Sequence, residues 1–274
     1  MCRSMQPRTL TRLLVLCLVC QTHPAPLLRA AEEAVVQTTA GARTSGEGAR
    51  TSGELIAALG RYAKPDWASK YRTTVSVAPN NRAQIALLMG SLFADGYLGA
   101  QAEDTQQCRN MGKEISALAK TLGVQAELLD RSRSLGDSAQ KRDWTLLRHE
   151  LEATESDLCA ALRKHNDGGL AHLVTLGAWL RGTEIVSSLL QENYTEDAAL
   201  LLRQPVLNRL LGAGLDPLNE KLRADPLLSG IRGRLDAVAQ LLNGPGATIL
   251  SREGVSTLAE TLGSIFKEIA SRQN

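Results

Sequence analysis

Apolar residues recur at alternating intervals of three and four along four stretches of the chain, which is the spacing of one face of an α-helix. These stretches cover residues 108–122, 144–161, 228–242 and 255–269. Because the four stretches share one period, we expect the helices to pack side by side at shallow crossing angles. The pattern predicts an all-α protein, an antiparallel bundle of about seven or eight helices with no significant sheet.

The most continuously apolar stretch after residue 30 is 168–191, which has 24 residues and no proline. This length exceeds that of an ordinary strand, and a helix that is apolar nearly all round is a buried one. His172, Arg181 and Glu184 interrupt every window of about 18 residues, which argues against a membrane span. We therefore expect a central buried helix around which the others pack.

A second buried helix is predicted after Pro79, with Asn80 or Asn81 as its N-cap. It contains Gly90, Gly96 and Gly99. Glycine lowers helix propensity but lets a neighbouring backbone come close. These glycines indicate close packing against a neighbour such as the central helix.

Capping residues mark the ends of the next helices. Asp104 or Thr105 can begin the helix that carries the first seam, and Gly123 can end it. Asp137 and Ser138 are predicted to begin the following helix.

Shorter segments complete the expected secondary structure. Residues 54–62 predict a short helix, and residues 194–196 can begin another, which Pro205 must kink or end. Residues 71–78, YRTTVSVA, are the only stretch with strand composition and have no strong partner. We interpret them as an extended linker.

Residues 1–30 have the pattern of a secretory signal peptide. Three arginines precede the apolar run 13–20, and prolines and small residues follow it. This run is too short to remain in a bilayer as a stable span. We expect the leader to be cleaved and the protein to be exported, to a periplasmic or extracellular location.

Residues 31–53 are expected to form a flexible, low-complexity tether. GARTSGE occurs at 41–47 and again at 48–54. A repeat of small and polar residues cannot bury enough apolar surface to offset the entropy lost on ordering. The remaining 54–274 is then a single helical-bundle domain.

Removal of the leader changes the charge. The chain has 31 basic and 29 acidic residues, and residues 1–30 hold four arginines and no acid, so 27 basic residues remain against 29 acids. A nearly neutral surface gives no electrostatic basis for binding nucleic acid or anionic lipid. The partner is then expected to be a protein or a small ligand.

Several polar residues fall on helices that should be buried. Arg181 and His172 could bind a ligand carboxylate, or Asp95 and Glu184 could share a cation. The alternative is internal ion pairing of Arg181 with Asp95 or Glu103, and we favour it because buried charges usually pair. The candidate ligand-binding residues are Asp95, Arg148, His172, Trp179, Arg181 and Glu184.

Known catalytic motifs are missing from the sequence. His149-Glu150 has no second histidine at the spacing of a zinc-protease helix, and the chain has no glycine loop for a phosphate. We assign no catalytic residue, metal or cofactor. A non-enzymatic binding or structural role is the first hypothesis. A hydrolase or metal-dependent enzyme using Asp95, His172 and Glu184 is the alternative.

Two cysteines remain after the leader, Cys108 and Cys159. If they lie on adjacent antiparallel helices, the start of one comes level with the end of the other, and an oxidising compartment favours a disulfide. The alternative is two separate buried thiols.

Overall fold

The computed structural model describes residues 50–62, 64–72, 81–204, 215, 218–243 and 249–271. Ten α-helices lie in these ranges: α1 (Ser52–Tyr62), α2 (Arg82–Gln101), α3 (Thr105–Leu122), α4 (Leu129–Lys141), α5 (Trp144–Lys164), α6 (Gly168–Glu192), α7 (Glu196–Ala199), α8 (Glu220–Arg223), α9 (Pro226–Asn243) and α10 (Arg252–Ser271).

The predicted all-α fold is confirmed, since no strand occurs in the described ranges. Eight of these ten helices have 11 residues or more, in agreement with the expected seven or eight, and α7 and α8 are single turns. The expected linker 71–78 is described only at Tyr71 and Arg72, which are neither helix nor strand.

The predicted central helix is α6. Its buried residues point in every direction around the helix axis, as the sequence indicated. It packs against α1, α2, α5 and α10, and its most extensive contact is with α2. The burial of α6 between these helices explains why it can be apolar on all sides.

The central pair, α2 and α6, runs parallel and not antiparallel. Arg82 and Asp167 pair at the first end, and Asp95 and Arg181 pair nearly four turns further along both helices. Between them the two backbones touch: a Cβ at Gly90 would lie 1.9 Å from the Val174 carbonyl oxygen. The prediction of close packing is therefore confirmed for Gly90.

The other two glycines of α2 face different neighbours. A Cβ on Gly96 would press on Leu151 and Met111, and one on Gly99 would meet the Cys108 sulfur. Thus α2 also lies against α3 and α5.

One helix was not expected from the sequence. Asp137 and Ser138 do not begin a helix but lie inside α4, and α5 begins at Trp144 with Asp143 as its N-cap. The prediction failed because α4 buries little, mainly Leu135 and Ala139, and therefore has no apolar seam.

The predicted caps of α2 and α3 are confirmed. The Asn81 side chain accepts from the Gln84 amide, and the Asp104 side chain accepts from the Gln107 amide. Gly123 ends α3 in the left-handed conformation, with φ of 82°.

The first helix begins inside the second GARTSGE copy. Thr51 accepts from the Glu54 amide, and the Glu54 carboxylate accepts from the Thr51 amide, which makes a capping box. Ser52 and Gly53 are buried in α1. The predicted signal peptide and residues 31–49 of the tether lie outside the described residues.

The two C-terminal seams are confirmed. Their ten residues are all buried: Leu228, Ile231, Leu235, Val238 and Leu242 on α9, and Val255, Leu258, Leu262, Ile265 and Ile269 on α10. The helices pack together, and α10 also covers α6.

The predicted disulfide is not present. Cys108 packs against Gly99, whereas the Cys159 thiol donates a weak hydrogen bond to the Ala171 carbonyl. The chain reverses at α4, so α3 and α5 run parallel and their starts, not opposite ends, come level near the end of α2. Arg148 on α5 lies near this level. Cys159 comes 11 residues later, a rise of about 16 Å along α5, so it is well separated from Cys108.

Candidate functional site

Arg181 lies at the centre of a buried charge cluster between α2 and α6. Its side chain is 3% exposed, and its Nε donates to Asp95 Oδ1 at 2.7 Å. Its Nη1 pairs with Glu184 one turn along α6. Its Nη2 donates to the Lys70 carbonyl oxygen at 2.6 Å, so this guanidinium also holds the segment before α2.

A second arginine, Arg72, reaches Asp95 from the opposite side. Its Nε donates to Asp95 Oδ2 at 3.1 Å, and its Nη2 pairs with the same oxygen and donates to Ser91 Oγ at 2.9 Å. The guanidinium carbon lies 5.1 Å from the centroid of the Phe266 ring on α10. Arg72 therefore joins α2 to α10.

The edge of the cluster is also hydrogen-bonded. Ser188 Oγ donates to Glu184 Oε1 at 3.3 Å. Lys70 Nζ pairs with Glu192 Oε1 at 2.6 Å near the surface. Residues 70–72 are thus attached to both ends of the last three turns of α6, at Arg181 and at Glu192.

The charges in the centre of the cluster balance, with two arginines against Asp95 and Glu184. Burial alone would raise the pKa of Asp95, but Arg181 and then Arg72 outweigh it and hold this pKa below its ordinary value. Burial likewise opposes the charge of Arg181, and Asp95 and Glu184 reverse the effect and raise its pKa. Asp95 and Arg181 are therefore both charged at neutral pH.

Of the six candidate residues, the structure brings together Asp95, Arg181 and Glu184. His172 is buried on α6, nine residues before Arg181, which places it half a turn round the helix and about 14 Å along it. Trp179 is buried on that far side of α6 as well. Arg148, on α5, reaches the C-terminal end of α2, where its Nη1 is 3.5 Å from the Ala100 carbonyl oxygen.

The sequence reasoning identified the Arg181–Asp95 pair but missed Arg72. Arg72 lies in a segment without helical periodicity, and no spacing rule relates it to Asp95, 23 residues later. Its only sequence signal is a cation next to an apolar, β-branched stretch, which is also common on exposed loops.

A second group of titratable residues is centred on Tyr97 of α2. Burial is the main cause that raises the pKa of its hydroxyl, and the charges of Glu155, Glu152 and Glu54 add to it. Burial, and then repulsion from Glu152, raise the pKa of Glu155 to about 7. Within the described ranges, no three His, Cys, Asp or Glu side chains are grouped as metal ligands.

These observations define an all-α helical bundle whose core contains a hydrogen-bonded charge cluster with no net formal charge. Comparison with protein-family models, curated proteins and solved structures finds no match for the chain. Among the helices in the part of the chain that the structure describes, none combines the length and apolarity required to cross a bilayer.

Proposed function

We propose that the protein is an exported, periplasmic or cell-surface helical protein with a non-enzymatic binding or structural role. The leader-like pattern of residues 1–30 supports export. The nearly neutral charge of the remaining chain favours a protein or small-ligand partner over nucleic acid.

One observation supports the non-enzymatic role most directly: Asp95 and Glu184, the carboxylates best placed for chemistry, are both paired with Arg181. A general base or metal ligand needs a carboxylate that can turn to substrate or cation. Here Asp95 is 5% exposed and is bonded on both oxygens. The cluster therefore supports the bundle rather than a reaction.

The alternative is a hydrolase or metal-dependent enzyme that uses Asp95, His172 and Glu184. Arg181 lies between the two carboxylates, and His172 lies on the other side of α6, so the three side chains do not converge on one point. This geometry favours the binding or structural role.

Native mass spectrometry of the protein recovered from outside the producing cells' cytoplasm tests the proposal. We expect a chain that begins near Ala31 or Glu32 and carries no stoichiometric metal. A matched control is a chain with Leu14→Arg and Leu16→Arg, which breaks the apolar run of the leader and should stay inside. A stoichiometric metal on the exported chain would support the enzyme, and uncleaved chain in the membrane would contradict export.

A further inference from the structure

The surroundings of Arg72 have the composition of a guanidinium-binding pocket. Its walls are the Asp95 carboxylate and the Ser91 hydroxyl of α2 and the Phe266 ring of α10. A carboxylate that accepts from the N–H groups of a guanidinium, together with an aromatic ring over the flat face of that group, selects a planar guanidinium over a compact ammonium.

The pocket is built without help from Arg72. Arg181 holds the Asp95 carboxylate from the other side, and Ser91 Oγ donates its own proton to the Leu88 carbonyl oxygen at 2.8 Å. Both acceptor oxygens are therefore oriented by α2 and α6 themselves.

The charge of the pocket requires a cation. Without Arg72, Asp95 and Glu184 face the single positive charge of Arg181, and one buried negative charge is left uncompensated. Lys70 does not replace it, because its ammonium pairs with Glu192. A buried net charge of this kind is costly unless a counter-charge fills the site.

The occupant comes from outside the helices. Arg72 follows a single 3-10 turn, Trp67–Lys70, and belongs to neither helix nor strand. Its side chain is 21% exposed, whereas that of Asp95 is 7% exposed, so the pocket lies near the surface on the side from which Arg72 enters.

We propose that Asp95, Ser91 and Phe266 form a guanidinium-binding pocket. Arg72 fills this pocket from within the chain, and an arginine side chain of a partner protein can occupy it in place of Arg72. The segment 67–72 then acts as an internal competitor. This inference names a partner class for the proposed binding role and rests on it, but it does not depend on export.

Chemical rescue of purified Arg72→Ala protein tests the pocket. The variant should lose on the order of 5 °C in Tm, because a buried carboxylate loses a partner. N-ethylguanidinium chloride, well below denaturing concentration, should restore at least half of that loss in a saturable way, and ethylammonium chloride should restore less. Wild-type protein should show no such rise, because Arg72 already fills the pocket.

The matched control is Arg82→Ala, which removes an arginine from the exposed pair with Asp167. N-ethylguanidinium should not rescue this variant. Equal responses of Arg72→Ala, Arg82→Ala and wild type would overturn the proposal. If Arg72→Ala does not fold, Arg72→Gln keeps most of the side-chain stem and gives the same test.

The partner is tested with two peptides, acetyl-Gly-Arg-Gly amide and its lysine counterpart, titrated into the Arg72→Ala protein. We expect saturable binding of the arginine peptide, weaker binding of the lysine peptide, and at least tenfold weaker binding of the arginine peptide to wild type. Rescue by N-ethylguanidinium without peptide binding would reject the partner. Failure of both tests would leave export and the metal-free chain untouched, since mass spectrometry measures those separately.

Discussion

Asp95 is a residue for which burial and charge act in opposite directions. Burial favours its neutral form, yet two guanidinium groups keep it ionised, and its pKa falls below the ordinary value. Removing one arginine leaves an unpaired charge in the core. Replacing the whole cluster with apolar side chains would leave no buried charge. The cluster therefore fixes how α2, α6 and the segment 70–72 fit together, and it need not add much net stability.

We predict that Asp95→Asn lowers the free energy of unfolding by about 3 to 5 kcal/mol at pH 7, because Arg181 and Arg72 lose their shared counter-charge. Urea unfolding measures this. Asp130→Asn, which alters an exposed pair with Arg133 on α4, is the control and should unfold like wild type. A wild-type-like Asp95→Asn would show that the arginines find other partners.

Asp95 also makes the free energy of unfolding depend on pH. The folded-state pKa of Asp95 lies below its unfolded value of 3.8, so its contribution is complete above that pH and is lost as the pH falls through the folded pKa. The stabilities of wild type and Asp95→Asn should therefore converge only in strong acid.

Glu155 makes stability depend on pH in the opposite direction, because its folded-state pKa of about 7 lies above the model-peptide value of 4.5. The folded protein binds the extra proton, so stability falls as the pH rises from 4.5 towards 7. We predict that Glu155→Gln raises the free energy of unfolding by about 1 to 3 kcal/mol at pH 8 and has little effect below pH 4.5. Urea unfolding across this pH range checks it.

Glu152→Gln is the control for this prediction. It removes the repulsion but not the burial, which is the larger cause of the shift, so its effect at pH 8 should be smaller. A flat pH response of Glu155→Gln would mean that the carboxylate is hydrated in the folded protein.

At the scale of elements, two glycines, Gly90 and Gly177, set how closely α2 and α6 approach each other. A Cβ at Gly90 would lie 1.9 Å from the Val174 carbonyl oxygen, and one at Gly177 would lie 2.1 Å from the Leu87 carbonyl oxygen. Both obstacles are backbone atoms, which cannot rotate away. Any side chain at either position must push α2 and α6 apart.

We predict that Gly90→Ala lowers the free energy of unfolding by about 3 kcal/mol or more, despite the better helix propensity of alanine. Gly112→Ala on α3 is the matched control, since a Cβ there meets nothing within 4 Å. It should stabilise by about 0.5 to 1 kcal/mol. Thermal unfolding monitored by circular dichroism measures both, and a stabilising Gly90→Ala would mean that the two helices are further apart.

The sequence predicts those elements that bury a regular seam, and it fails for the one that does not. The residues of α10 repeat at three and four from 255 to 269 and are buried as expected. By contrast, α4 lies at the edge of the bundle with mainly polar residues, so its cap-like Asp137 and Ser138 suggested a start in the middle of the helix. The Arg181–Asp95 pair was foreseeable from two charges on buried helices. Arg72 was not, since its position depends on the path of a non-helical segment.

At the scale of the whole molecule, the parallel central pair follows from the number of helices between its members. Between α2 and α6 the chain passes through α3, α4 and α5, each joined by a short connection that reverses its direction. The four connections reverse the chain an even number of times, so α2 and α6, the two most apolar helices, point the same way. The missed helix α4 is also the reason why the helices that carry Cys108 and Cys159 were expected to be antiparallel and joined by a disulfide.

The positions of the two cysteines allow a test of whether the bundle is one cooperative unit. Cys108 lies where α3 meets α2, and Cys159 lies where α5 meets α6, and both are buried. Burial, and then Asp104, raise the pKa of Cys108 to about 12, so this thiol is not ionised in the folded state. Each thiol should react only when its own surroundings open.

We predict that, in a chain beginning at Ala31, both cysteines react with a thiol reagent at the same rate, and that urea accelerates both reactions with the slope of global unfolding. The single-cysteine variants Cys108→Ala and Cys159→Ala allow each rate to be followed alone by mass spectrometry. If α3 and α4 form a separately opening unit, Cys108 will react faster and with a shallower urea dependence. That result would contradict a single domain, because α2 would then hold two units that unfold independently.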